Sequence, residues 1–285
     1  IAGVVRLARR GVKWPIGRTI SFALGISAID YATSGALGLY SFFSFSHHMA
    51  AHMVLGMIAP IGIVLGAPIT LALRTLPSGR DDDERGLRGL LVRVLSSRMV
   101  FIFSHPIIAL AIFDGSLFAL YFTPLFDILM GSHLGHLVMS IHFLLAGILF
   151  FHVIIGIDPR PKQYPHLFRI VILFAAMSIH AFFSISLLSS TTLIGEDYYA
   201  ALATPWVDDL LADQRIGASI GWAMGEIPIL LSLVATFIQW IRSDEREAAR
   251  IDRASKRAKD RGEKDELDHY NDYLARLAKR DEELD

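Results

Sequence analysis

The chain has 285 residues, 53% of them hydrophobic and only 19% charged, with a mean hydropathy of +0.46. That balance is too apolar for an ordinary soluble domain of this length and describes an integral membrane protein, with no nucleic-acid partner expected. The net charge is −1 and there is no cysteine, so disulfide frameworks and thiolate metal sites are excluded and any soft-metal chemistry falls to Met and His.

In chain order, apolar stretches long enough to cross a bilayer, about 20 residues each, fall at 18–40, 48–73, 99–121, 133–157, 168–189 and 216–241. The expectation is an all-α, polytopic transmembrane helix bundle of about six spans over residues 1–241, followed by a charged cytoplasmic helical tail over 242–285. The first stretch gives the weakest signal, since it carries Asp30 among Gly, Ser and Thr residues. Between the second and third, residues 74–98 place a turn at Pro77 to Gly79 and then Leu87, Leu90, Leu91 and Val94 between arginines. This is the pattern of an interfacial helix anchored to lipid headgroups. The tail sets Leu267, Tyr270, Leu274 and Leu277 at helical spacing within a mixed-charge run, which predicts one or two helices. A start at Ile1, with neither Met nor a signal-peptide pattern, leads to the expectation of further membrane protein upstream.

Lys and Arg sort strongly between alternate connections. Residues 1–18, 74–98, 158–169 and the tail carry nearly all of them, whereas 41–47, 122–132 and 190–215 carry only Arg215. Translocation disfavours positive charge in short loops, so the first set is read as cytoplasmic and the second as outer.

That orientation gives a side to "SFSHHMAAHMVLGMIAP", residues 44–60. At the outer mouth of the second span His48 and His52 are one helical turn apart, and Met49, Met53 and Met57 repeat every four residues beside them. Met57 falls about 14 Å below His48 at the α-helical rise. The fourth span opens with "GSHLGHLVMSIHF", where His133 and His136 are three residues apart, Met139 follows on that side and Met130 precedes them. Thioether with imidazole suits Cu(I), and imidazole alone suits Cu(II) or Zn(II). The competing reading is structural: Met fills gaps in apolar helices, and a His at a helix mouth meets headgroups. Each residue alone favours that reading. The convergence of five of the eight methionines and five of the eleven histidines on two helix starts brings metal handling level with it.

Deeper in the spans lie Asp114, His142, His180 and Glu226. Ionisable groups at that depth are costly, so these are expected to face the bundle interior and pair, as a relay, as partners to metal ligands, or as a packing contact.

Taken together, the stretches "HMAAHMVLGMIAP", "SHPIIALAIFDGSLFALYFTPLFD", "SHLGHLVMSIHFLLAGILFFHVIIGIDPRP", "MSIHAFFSISLLSS", "DQRIGASIGWAMGEIP" and "QWIRSDEREAARIDR" resemble the Bacillus-type CtaG family, the assembly factors of caa-type cytochrome c oxidase. They span most of residues 45–253. The resemblance implies a non-enzymatic, multi-pass protein of the bacterial plasma membrane that matures the oxidase by supplying copper from the outer side. Oxidase subunits, outer-face copper chaperones and membrane lipid are the implied partners. The tail resembles actinobacterial members, in which a copper-resistance-D-like module often comes first. Carried over by position, the family's HM-x-x-HM pattern falls on His48, Met49, His52 and Met53, its outer pair on His133 and His136, and its buried polar positions on His142, His180 and Glu226. Two departures are His47, which makes a double histidine, and "FFSISLL" after His180, where a Gly-containing stretch is usual. Assigning the metal ligands to the outer His and Met residues rests on donor chemistry, with Cu(I) as the expected ion. Other readings stay open on sequence: a haem-binding redox protein with His142 and His180 as axial ligands, a copper transporter using the deep residues, and a scaffold without metal.

Overall fold

The computed structural model describes residues 1–77, 86–160, 162–261 and 266–282. Among these the chain is helical with no strand, in two compact units, Ile1–Thr236 and Phe237–Asp285.

An amphipathic α1 (Ala2–Arg9) leads to the first long apolar helix, α2 (Ile16–Thr33), extended by α3 (Ala36–Tyr40). The second is continuous but changes pitch. α4 (Phe45–Met53) opens under the Ser44 side chain, whose hydroxyl accepts from the His47 N–H. It passes into a π-helical turn at Val54–Ile58 and resumes as α5 (Ala59–Leu65). The cause is Pro60: it has no N–H to give the Gly56 carbonyl, and the chain widens just before it, with the Ala59 N–H reaching back to the Val54 carbonyl. Ala67 then takes a left-handed conformation (φ 51°) and α6 (Pro68–Thr75) follows.

The turn expected at Pro77 to Gly79 lies mostly outside the described residues. A helix beyond it is present as α7 (Leu87–Leu95), with no buried residue.

The third expected span is not one helix. It divides into α8 (Arg98–Phe103), α9 (Pro106–Phe113) and α10 (Gly115–Tyr121). The first break is set by Pro106, which excludes helical backbone at His105; there the His105 Nδ1 accepts the Ile107 N–H at 3.3 Å and caps the next helix. As a result five described helical stretches, not six, are long and apolar enough to cross a membrane, with Pro106–Tyr121 as a shorter apolar helix. After α11 (Leu125–Met130) come α12 (His133–Ile155) and α13 (His166–Leu188), then α14 (Glu196–Leu202) and α15 (Leu210–Asp260). The expected tail helices are the end of α15 and α16 (Glu266–Glu282), on which Tyr270 and Leu274 are exposed.

Within the first unit the core lies between α4, α9–α13 and α15, and includes a stacked pair, Phe113 and Phe150, with ring centroids 4.3 Å apart. α12 reaches the second helix through Gly147: a Cβ there would run into the Gly56 carbonyl and meet Pro60 Cγ at 2.7 Å. Only glycine permits that approach, and α12 packs there on the π-helical turn and α5.

The two ends of the bundle are tied differently. At one, the Tyr198 hydroxyl donates to the Phe42 carbonyl (3.1 Å), the Thr204 hydroxyl to the Phe43 carbonyl (2.9 Å), and the Ser46 N–H to Asp213 (3.2 Å). The connection 190–209 is thereby held over the mouth of α4. At the other, Asp158 accepts from the N–H groups of Ile69 and Thr70 and from the Thr70 hydroxyl, capping α6. Arg160 and Arg169 there donate to carbonyls at the end of α12.

Candidate metal centre

The juxtaposition of α4 and α12 brings His48, His52 and His136 together, with one ring nitrogen from each within 4.8 Å of the others. The His48 and His52 rings lie 4.1 Å apart, and His136 stands 5.3 Å from the first and 5.8 Å from the second, stacked on the latter. His48 and His52 are fully buried and His136 partly so. Phe126 closes the His48 side at 5.2 Å and Phe143 the His52 side at 4.6 Å.

By hydrogen-bond geometry none of the four ring nitrogens of His48 and His52, nor the His136 Nε2, meets a partner among the described residues, although the Ser41 backbone lies within interaction range of His48. A buried polar group left unpaired costs about 1–3 kcal/mol, so such a cluster calls for a ligand that satisfies several of these atoms together. A cation that accepts one lone pair from each imidazole takes up three of them, and the second nitrogen of each ring carries the hydrogen. Tetrahedral ligation at roughly 2.0–2.1 Å sets nitrogens about 3.4 Å apart, so a small inward movement of the rings would complete the site.

The remaining expected residues divide. His133 is exposed, its ring edge-on to Phe42 at 5.5 Å, because a three-residue step turns it about 60° from His136. Met49 is buried against α15: a Cβ at Gly221 would meet its sulfur at 3.3 Å. The thioether and imidazole stripes, expected to face alike, thus diverge at this residue. Met53, Met57, Met130 and Met139 are buried in the main core.

His142 overturns its expectation. It is exposed, not interior. Six residues separate it from His136, about 240° of helical turn, so with His136 facing α4 this ring faces outward. His180, by contrast, is fully buried.

His180 and Asp114 do meet. The His180 Nδ1 lies 3.5 Å from the Asp114 Oδ1, with both side chains buried. The His180 Nε2 lies 3.2 Å from the Gly221 carbonyl, an oxygen that only accepts, so Nε2 carries the hydrogen. Nδ1 then has a bare lone pair facing a carboxyl oxygen, and a single proton between them satisfies both. Glu226 is half-buried, within electrostatic reach of His180 and Asp114, and its Oε1 has no hydrogen-bond partner among the described residues. Its neighbour Gly225 allows the arrangement, since a Cβ there would overlap His180 Nε2.

Phe42 is the site residue that sequence reading missed: its ring lies 4.5 Å from His136. The run "SFFSF" has no periodicity that singles it out, and only the proximity of α4 and α12 reveals it.

The fold and this geometry define a class, a polytopic helical membrane protein with a buried three-imidazole centre. The sequence model of the family described as "Cytochrome c oxidase caa3 assembly factor (Caa3_CtaG)" matches residues 1–243, and the chain belongs to that family. Uncharacterized proteins of Mycobacterium bovis and Mycobacterium tuberculosis are each 42% identical to it over 278 residues, and one of Mycobacterium leprae is 42% identical over 279. In each case 98% of this chain aligns with 42% of the relative, so the chain spans about two fifths of the length of these relatives. No solved structure matches.

Proposed function

We propose that this chain is the copper-handling part of a non-enzymatic membrane assembly factor for cytochrome c oxidase. His48, His52 and His136 hold the ion as cargo and release it to an oxidase subunit, after receiving it from the outer side, where a copper chaperone is the natural donor. The observation that carries this reading is the cluster of imidazole nitrogens without hydrogen-bond partners among the described residues, donors that suit copper as they also suit zinc; the family's part in oxidase assembly favours copper. The positive-inside rule supports an outer location for the mouth of α4, with the tail cytoplasmic in the plasma membrane. Three neutral donors without a thiolate give a site that binds and also lets go, as a carrier must.

The test is made in cells. A strain lacking the gene is complemented with the full-length protein or with its His48→Ala, His52→Ala form, and the copper content of the purified oxidase is measured. The double variant is expected to leave the oxidase copper-poor while accumulating in the membrane at normal level. Fully metallated oxidase from that strain would overturn the proposal.

A further inference from the structure

His48 and His52 are fully buried, so metal reaches them past the partly exposed His136. Three phenyl rings abut the imidazoles of the triad: Phe126 on His48, Phe143 on His52 and Phe42 on His136. Phe126 and Phe143 are buried, whereas Phe42 is partly exposed. Of the three, Phe42 alone reaches the surface of the described residues. Its ring also touches exposed His133 at 5.5 Å, which gives the order His133, Phe42, His136 from outside to inside.

We propose that His133 is the receiving ligand for copper and that Phe42 is the gate between it and the triad. The inference rests on the metal-binding reading of His48, His52 and His136. A copper ion arriving on a donor exchanges ligands one at a time, and His133 offers the first imidazole at the surface. His136 is the next on the same helix, about 4.5 Å further along its axis. The phenyl ring lies against both rings and must turn aside for the ion to pass. The Phe42 backbone is fixed by the Tyr198 hydroxyl on its carbonyl, so the movement is a side-chain rotation, which partly exposed residues make rapidly. Each step swaps one nitrogen donor for another, and the ion stays Cu(I) throughout.

A gate lies on the path in both directions, so altering it changes loading and release by the same factor and leaves the affinity alone. The experiment is anaerobic stopped-flow transfer of Cu(I) to and from a chromogenic chelator, using the detergent-solubilised full chain. Phe42→Ala is expected to speed both rates about tenfold, and Phe42→Trp to slow both. His133→Ala is expected to slow both about tenfold, by removing the stepping stone. The dissociation constant should stay within about twofold in all three. Opposite effects of a smaller and a larger ring exclude a general loosening of the fold, and His133→Ala tests the route without touching the gate. Wild-type binding with rates indifferent to all three changes would overturn the route while leaving the triad standing. So would an affinity that falls in step with faster release. A wild-type protein that takes up no Cu(I) would overturn the triad and the route together.

Discussion

His180→Ala is expected to lower the stability of the folded bundle by about 3 kcal/mol or more, the usual result of leaving one member of a buried pair alone. Asp114 would keep its carboxyl between α9 and α10, where, among the described residues, the nearest ion-pairing partner is His180 at 3.5 Å. Asp114→Asn should behave very differently. The amide N–H can donate to the bare His180 Nδ1, which replaces the shared proton by a fixed one, and the loss should stay within about 1 kcal/mol. Thermal unfolding in detergent, followed by near-ultraviolet circular dichroism, separates the two. Equal losses would mean that the His180 Nε2 is not the protonated nitrogen, and the assignment of a held proton between the two side chains would fall.

The second large effect concerns the metal itself. His136→Ala removes one of three donors, and the affinity for Cu(I) should drop about a hundredfold or more, since even partners that merely orient ligands are worth about 10–100-fold. His142→Ala, six residues along the same helix, should leave affinity unchanged because that ring faces outward. Competition against a chelator of known affinity measures both. The contrast discriminates a site built on one face of α12 from a diffuse affinity for histidine. If both substitutions weaken binding alike, the triad is not the ligand set.

Much of the fold was legible because the hydrocarbon thickness of a bilayer imposes a length on apolar runs. The break in the third stretch was missed, since 99–121 was read as one span although "SHP" carries a cap residue and a proline at the first helical turn. What sequence could not carry was which face of each helix meets which neighbour. Depth argued that His142 turns inward, yet depth fixes nothing about direction around the helix axis. His48 and His52 were identified by one-turn spacing on a single helix, but their union with His136 depends on Gly147 admitting α12 to the Gly56 carbonyl. Met49 shared the periodicity of the imidazoles, but the single-residue offset from His48 and a glycine on α15 sent its sulfur elsewhere. The π-helical turn has a local cause in Pro60, although the same proline is also compatible with a simple kink. His180 and Asp114 lie buried 3.5 Å apart, and two polar groups in an apolar bundle have few other ways to be satisfied.

The most direct measurement is an anaerobic titration of the purified protein with Cu(I) against a competing chelator, comparing wild type with the His48→Ala, His52→Ala double variant. The triad predicts one tightly held ion in wild type and none in the variant, with folding intact in both. Retention of one equivalent by the variant would place the copper elsewhere in the molecule and contradict the account.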